Sequence, residues 1–174
     1  MLSEIAPRLV ALRFIMRQGL FQRGVLKMPN ALAEDRRRAR IGLLEEHLRA
    51  ENLHDLDAIM ETFGAGARLI LNGYAFADPD GIRALHRDFG FAEDGGFSDL
   101  RVDERRRYIS DDAVIMEQTL SGKHTGTWQG IEATRREFKI PVCTVYTFDE
   151  EDKLAGENVY FDRALLLKQL GVLS

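Results

Sequence analysis

AVIMEQTLSGKHTGTWQG (Ala113 to Gly130), REFKIPVCTVYTF (Arg136 to Phe148) and KLAGENVYFD (Lys153 to Asp162), the last running directly into RALLLKQLG (Arg163 to Gly171), decide how this chain folds. The first two runs are long, β-branched and aromatic, as strands of a curved sheet should be. The third is a shorter strand that enters a helix through Asp162, and Gly171 is the residue type that closes one. Three strands and a closing helix therefore fill the C-terminal part of the chain.

Upstream, polar and apolar residues alternate from Ser98 to Ile109 among many charges, so one face of that strand is wet. Asp111-Asp112 turns it into the stretch above. AEDGG at 92–96 reads as a flexible connection, a candidate lid over a pocket mouth. The helix before it has the clearest boundaries in the chain. Asp78 caps it, Pro79 takes the first helical position, Ile82, Leu85 and Phe89 form the buried stripe, and Gly90 ends it. A short strand, Arg68 to Leu71, leads into Asn72-Gly73-Tyr74. Leu53, Leu56, Ile59 or Met60, and Phe63 make an earlier helical stripe, which Asn52 would cap and Gly64 and Gly66 would end. Before that, a helix begins at a cap on Asn30 and runs to about Ala50 with Ile41, Leu44 and Leu48 on one face. Arg36-Arg37-Arg38 with Arg40 reads as its solvated side.

Helices first and four longer strands after them predict an α+β fold, a curved, mostly antiparallel sheet with helices gathered on one face. The expected organisation is a helical N-terminal extension over residues 1–40 and one domain over 41–174. The 174 residues suffice for a sizeable core. A formal net charge of −4 gives no global case for nucleic acid. Residues 1–28 are nonetheless basic and amphipathic, with Leu2, Ile5, Leu9, Leu12 and Met16 at helical spacing. They read as a helix packed on the body or on a second subunit, with membrane-surface or partner docking as the sharper alternative. No run approaches the ~18 apolar residues of a membrane span, and a cytoplasmic setting is the default expectation. The single cysteine, Cys143, excludes a disulfide within the chain and a thiolate zinc cluster, and reads as a small buried hydrophobe.

HTGTWQG, one long strand, a short acidic turn, a strand ending Tyr-x-Asp and finally LLLKQLG resemble the SnoaL-like polyketide cyclase family, part of the nuclear-transport-factor-2-like superfamily. The resemblance implies a cone-shaped α+β fold, with the helix near residue 56 lying across its opening. It also implies a pocket for a small apolar or carbonyl-containing molecule, no cofactor and no metal. Family members are often homodimers, so the outer face of the sheet is expected to meet a second copy.

Acid–base chemistry is what the residues leave open. There is no H-E-x-x-H zinc helix, no phosphate loop and no G-x-S-x-G elbow. Alternation puts Ala155, Glu157, Val159 and Phe161 on one face of the last strand, and alignment with the family turns that face to the cavity. Glu157 is then a pocket carboxylate, or else a rim glutamate in water or beside an arginine. Glu117 is a pocket carboxylate or an exposed cross-strand partner. His124 matches the family's H-x-G histidine and either works near the pocket or braces the turn. Tyr146 and Thr144 align with the inward side of their strand and, with Tyr74, Val159 and Trp128, are the candidate substrate contacts. For Tyr146 and Tyr74 the simpler alternative is a core aromatic. His86, one residue past Leu85, reads as solvent-facing; His54 and Asp57 open the central helix; Asp162 reads as a helix cap.

One departure limits what the resemblance implies. The family's catalytic aspartate falls three residues before Asp162, at Val159, and a valine cannot move a proton. The family's neighbouring catalytic glutamine and histidine fall on Val142 and Thr144. Two functional readings follow. In one, Glu157 or Glu117 abstracts a proton next to a carbonyl, with His124 or Tyr146 supporting the enolate, in a cyclase, isomerase or lyase. In the other, the pocket holds an apolar metabolite without chemistry or the domain serves as a dimerising module. A third, weaker reading gives the function to the basic N-terminal segment.

Overall fold

The computed structural model describes residues 31–173, so the basic segment 1–28 and the cap expected at Asn30 lie outside the described residues. Residues 35–174 form one compact unit. The first described helix, α1 (Ala31–Leu53), is rich in alanine, leucine, glutamate and arginine, all strong helix formers. It runs unbroken past Ala50, where the sequence suggested that it ends. Asn52 does not cap the next helix. Its side-chain amide donates to the Val102 carbonyl (3.0 Å) and accepts from the Val102 N–H (2.8 Å), which fixes the helix end to a strand.

Asp55 is the cap that Asn52 was expected to be. Its carboxylate accepts from the Ala58 N–H at 3.0 Å and starts α2 (Leu56–Glu61). This helix is shorter than its apolar stripe suggested. Phe63, Gly64 and Gly66 belong instead to β1 (Phe63–Leu71), because parallel pairing with a C-terminal strand outweighs one more helical turn. Gly64 suits close approach, since a side chain there would run into the Asp149 carboxylate. Next come β2 (Tyr74–Phe76) and α3 (Pro79–Phe89). The latter has the predicted boundaries: Asp78 accepts from Gly81 N–H at 2.8 Å, Pro79 opens the first turn, and Gly90 ends it at φ 133°.

Four strands complete the sheet: β3 (Phe97–Ile109), β4 (Ala113–His124), β5 (Glu137–Phe148) and β6 (Leu154–Phe161). Asp162 then caps α4 (Arg163–Gln169) by accepting from the Leu165 N–H. The order across the sheet is β2-β1-β6-β5-β4-β3, and β1–β6 is its parallel pair. The sheet is curved and unclosed, an α+β cone. The connection at 92–96 is tied down: the Gly96 N–H donates to Asp88 O, and the Gly96 carbonyl accepts from the N–H groups of Thr125 and Gly126.

Two further readings are corrected by these contacts. Arg37 and Arg38 are solvated, but Arg36 and Arg40 converge on the β5–β6 turn. Arg40 Nε donates to Asp152 at 2.7 Å and Arg36 Nε at 3.0 Å. Cys143 is only half-buried, because Val142, Thr144 and Tyr146 point inward and strand parity sends Cys143 to the outer face.

The inner face holds three apolar clusters. An aromatic corner gathers Phe89, Phe97, Trp128 and Phe138, with the Phe97 ring 5.0 Å from Phe89 and from Phe138. A second cluster joins Leu44 of α1 to Val114, Met116, Tyr146 and Leu154. Ala67, Leu69 and Ile82 form a third. Each fully buried large apolar side chain contributes about 1.5–3 kcal/mol. A cavity remains where the three clusters meet.

Candidate active site

The cavity has a volume of about 70 Å³ and mainly apolar walls, among them Leu69, Phe89, Leu120 and Phe161. Strand alternation delivers its polar groups. Register places Tyr146 opposite Glu157 and Thr144 opposite Val159, while Gln118 enters from β4. On the parallel side, Leu69 and Leu71 flank Glu157 and Val159.

Two helices supply the rest. On α1, Leu44, His47 and Glu51 recur at i, i+3 and i+7 and share the buried face. On α3, Ile82, His86 and Phe89 recur at i, i+4 and i+7 and do the same. His47, Glu51, His86 and Glu157 are all buried and each presents one nitrogen or oxygen to a common point, these four atoms lying within 4.8 Å of one another. His47 Nε2 is 3.7 Å from Glu51 Oε1 and 3.7 Å from Glu157 Oε2, and His86 Nε2 is 3.8 Å from Glu157 Oε2.

Hydrogen bonds behind the rings fix both imidazoles. The Thr62 hydroxyl donates to the Ile59 carbonyl at 2.6 Å, so its oxygen accepts from His47 Nδ1–H at 2.8 Å. His86 Nδ1–H donates to the Ile82 carbonyl at 2.9 Å. Burial pushes His47 down to about 3, helped by the neighbouring His86, and pushes His86 down to about 4. Both rings are therefore neutral with an Nε2 lone pair turned towards Glu157. Burial likewise pushes the Glu157 carboxyl up to about 8, and raises Glu51, beside Glu157, well above the usual carboxylate range. Burial, then the charges of Glu157 and Glu51, hold the Tyr146 phenol protonated.

Glu157 Oε2, His47 Nε2 and Gln118 Nε2 are buried without a hydrogen-bond partner. The Gln118 carbonyl oxygen is occupied, accepting from the Thr144 hydroxyl at 2.8 Å, so its amide N–H₂ is the free end. The site thus offers a carboxyl group to exchange a proton and an amide donor to meet an oxygen.

The structure brings together Glu157, Tyr146, Thr144 and Val159 of the residues chosen from sequence. It does not bring the others to the cavity. Glu117 has the opposite strand parity, stands in solvent and accepts from the Tyr108 hydroxyl at 3.2 Å. Tyr74 is 69% exposed on the short edge strand, and Trp128 is spent in the aromatic corner. His124 is buried away from the cavity, where Nδ1 accepts from the Thr134 N–H at 3.2 Å and braces the turn. His54 sits before α2 and contacts the Leu100 carbonyl, and Asp57 pairs with Arg83 at the surface.

His86, expected to face solvent, is instead 4% exposed at the cavity wall. The signal lay in its i+4 spacing from Ile82 rather than its adjacency to Leu85. His47 and Glu51 are hidden in the sequence because EEHLRAEN reads as a polar surface. Their i+3 and i+7 spacing from Leu44 was the available clue.

Comparison with known proteins agrees with this architecture. TsrD from Streptomyces laurentii superposes with a TM-score of 0.67 at 23% identity, over 79% of this chain and 98% of that one. AclR from Streptomyces galilaeus gives 0.67 at 19% identity, over 79% and 99%. A protein from Jannaschia sp. CCS1 described as SnoaL-like gives 0.70 at 17% identity, over 79% and 95%. At these identities the likeness is one of fold. Among curated proteins no match is found. The family model for SnoaL-like polyketide cyclase matches residues 47–170, from the buried histidine of α1 to the end of the closing helix, and the chain belongs to that family.

Proposed function

We propose that this chain is an enzyme of cyclase, isomerase or lyase type that moves a proton next to the carbonyl of a small, largely apolar, polyketide-like molecule. The observation that carries this reading is a carboxyl group, Glu157, set in the wall of an apolar cavity that a free amide donor, Gln118, also lines. Glu157 as carboxylate takes the α-proton, and the electron pair of the C–H bond moves into the carbonyl to give an enolate. Gln118 N–H and the Tyr146 hydroxyl stabilise the enolate oxygen, and the protonated Glu157 returns the proton to carbon. Val159 forms cavity wall, so proton transfer moves two residues along the strand from the position the family uses.

The test needs no knowledge of the native substrate. Deuterium exchange α to the carbonyl of simple cyclic ketones and β-keto esters, followed by NMR in D₂O, reports the step directly. The wild-type chain should accelerate exchange and Glu157→Gln should lower it about 100-fold or more. Undiminished exchange in that variant removes Glu157 from the chemistry. The competing reading, a pocket that only holds an apolar metabolite, is favoured by the apolar walls and expects a retained ligand in native mass spectrometry with no exchange. We also assign the outer sheet face, where Tyr108, Ile115 and Tyr160 are exposed, to a second copy of the chain. Light scattering at the mass of one chain would end that assignment.

A further inference from the structure

We propose that His47, Glu51, His86 and Glu157 form a binding site for one divalent first-row transition-metal ion. No spaced metal motif announces it, because the four ligands come from α1, α3 and β6. Both histidines spend Nδ1–H on a protein oxygen, Thr62 Oγ1 for His47 and the Ile82 carbonyl for His86, which leaves Nε2 as a lone pair on each ring. This is the tautomer and the backing hydrogen bond that a metal-ligating imidazole uses. Both lone pairs face the Glu157 carboxyl oxygen Oε2, at 3.7 and 3.8 Å. None of these separations is a hydrogen bond, and His47 Nε2 and Glu157 Oε2 have no other partner.

A cation resolves this arrangement in one step. Four ligand atoms about 2.0–2.2 Å from a tetrahedral ion lie about 3.4 Å apart. The His47–Glu51, His47–Glu157 and His86–Glu157 separations of 3.7, 3.7 and 3.8 Å exceed that by a few tenths of an ångström, and all four atoms lie within 4.8 Å of one another. Two neutral imidazoles and two carboxylates around a divalent ion sum to zero, which suits a buried place. Two nitrogens and two carboxylate oxygens favour zinc, cobalt, iron or manganese over magnesium or calcium, which prefer oxygen alone. The inference shares its pocket with the proton-transfer reading but excludes it while the ion is bound. An ion takes Glu157 as a ligand, so proton transfer belongs to the ion-free chain.

The full chain, stripped with a chelator and dialysed, would be titrated with Co²⁺ by absorbance and then with Zn²⁺ in competition. The expected result is one Co²⁺ per chain with the intense visible bands of a low-coordinate site, displaced by Zn²⁺. His86→Gln should weaken Co²⁺ at least 100-fold, and Thr62→Val, which keeps all four ligands but removes the support of His47, about 10- to 100-fold. Circular dichroism checks the fold, and Glu51→Gln replaces His86→Gln if the latter is unfolded. No binding below millimolar Co²⁺, or equal affinity in wild type and the folded ligand variant, overturns the site. Because the readout is binding, such a failure leaves the deuterium-exchange test of Glu157 untouched, and loss of exchange activity says nothing against the ion.

Discussion

Two buried regions of the same sheet treat histidine in opposite ways. In the aromatic corner, His124 packs 5.0 Å from the Phe97 ring and its Nδ1 accepts a backbone N–H, so the ring proton sits on Nε2. At the cavity, His47 and His86 carry the proton on Nδ1 and turn Nε2 inward. Burial holds all three rings below their ordinary pKa. Burial and a lowered pKa therefore do not separate a working histidine from a structural one. The separating feature is where the unprotonated nitrogen points: into a loop at one place, into a hollow lined with carboxyl groups at the other.

The sharpest way to break this contrast is chemical. Glu157→Gln should lower α-proton exchange about 100-fold or more, whereas His124→Ala should leave the rate per folded molecule within about twofold. Equal losses in the two would dissolve the distinction. The next effect is on stability. His124→Ala strands the part-buried Thr134 N–H and empties an aromatic contact, a loss of about 1–3 kcal/mol in denaturant titration.

The cavity should also reveal itself through pH. Glu157 is raised to about 8 in the folded chain from an ordinary 4.5, so the folded state holds a proton there that the unfolded state releases. Stability attached to this group is fully present below pH 4.5 and is lost as pH rises towards 8. His47 and His86 act in the reverse direction, being lowered to about 3 and 4, and their contribution falls away as pH drops below 6.5. Glu51 and Tyr146, which also face Glu157, share its direction. Measured with chelator present, the melting temperature of Glu157→Gln minus that of wild type should grow by several degrees from pH 5 to pH 8. A constant difference would mean that the carboxyl is not held neutral. The smallest effect belongs to the outer face: Glu117→Gln should change stability by no more than about 0.5 kcal/mol and leave exchange unaltered.

The fold was legible because its signals are local. Asp78-Pro79, Gly90 and Asp162 mark helix boundaries by their own chemistry, and alternation together with the family resemblance placed Glu157 on the inner side of its strand. The misread boundary at residues 62–63 had no local signal, since a parallel pairing nearly a hundred residues away decides it. The site was half legible for the same reason. A strand declares its faces by parity, so Tyr146 and Thr144 could be found. A helix studded with charges hides its inner face, and His47 and Glu51 emerge only once Leu44 is known to be buried. Glu117 shows the converse limit: alternation gives two faces but does not say which is inside.

The clamp of Arg36 and Arg40 on Asp152 has a consequence at a distance. Each residue of slippage along a helix turns its side chains by about 100°, so α1 acts as a dial whose setting decides whether imidazole and carboxylate meet β6. Two arginines at a hairpin outside the cone lock that dial, and loosening them would detune the chemistry without altering any atom that performs it.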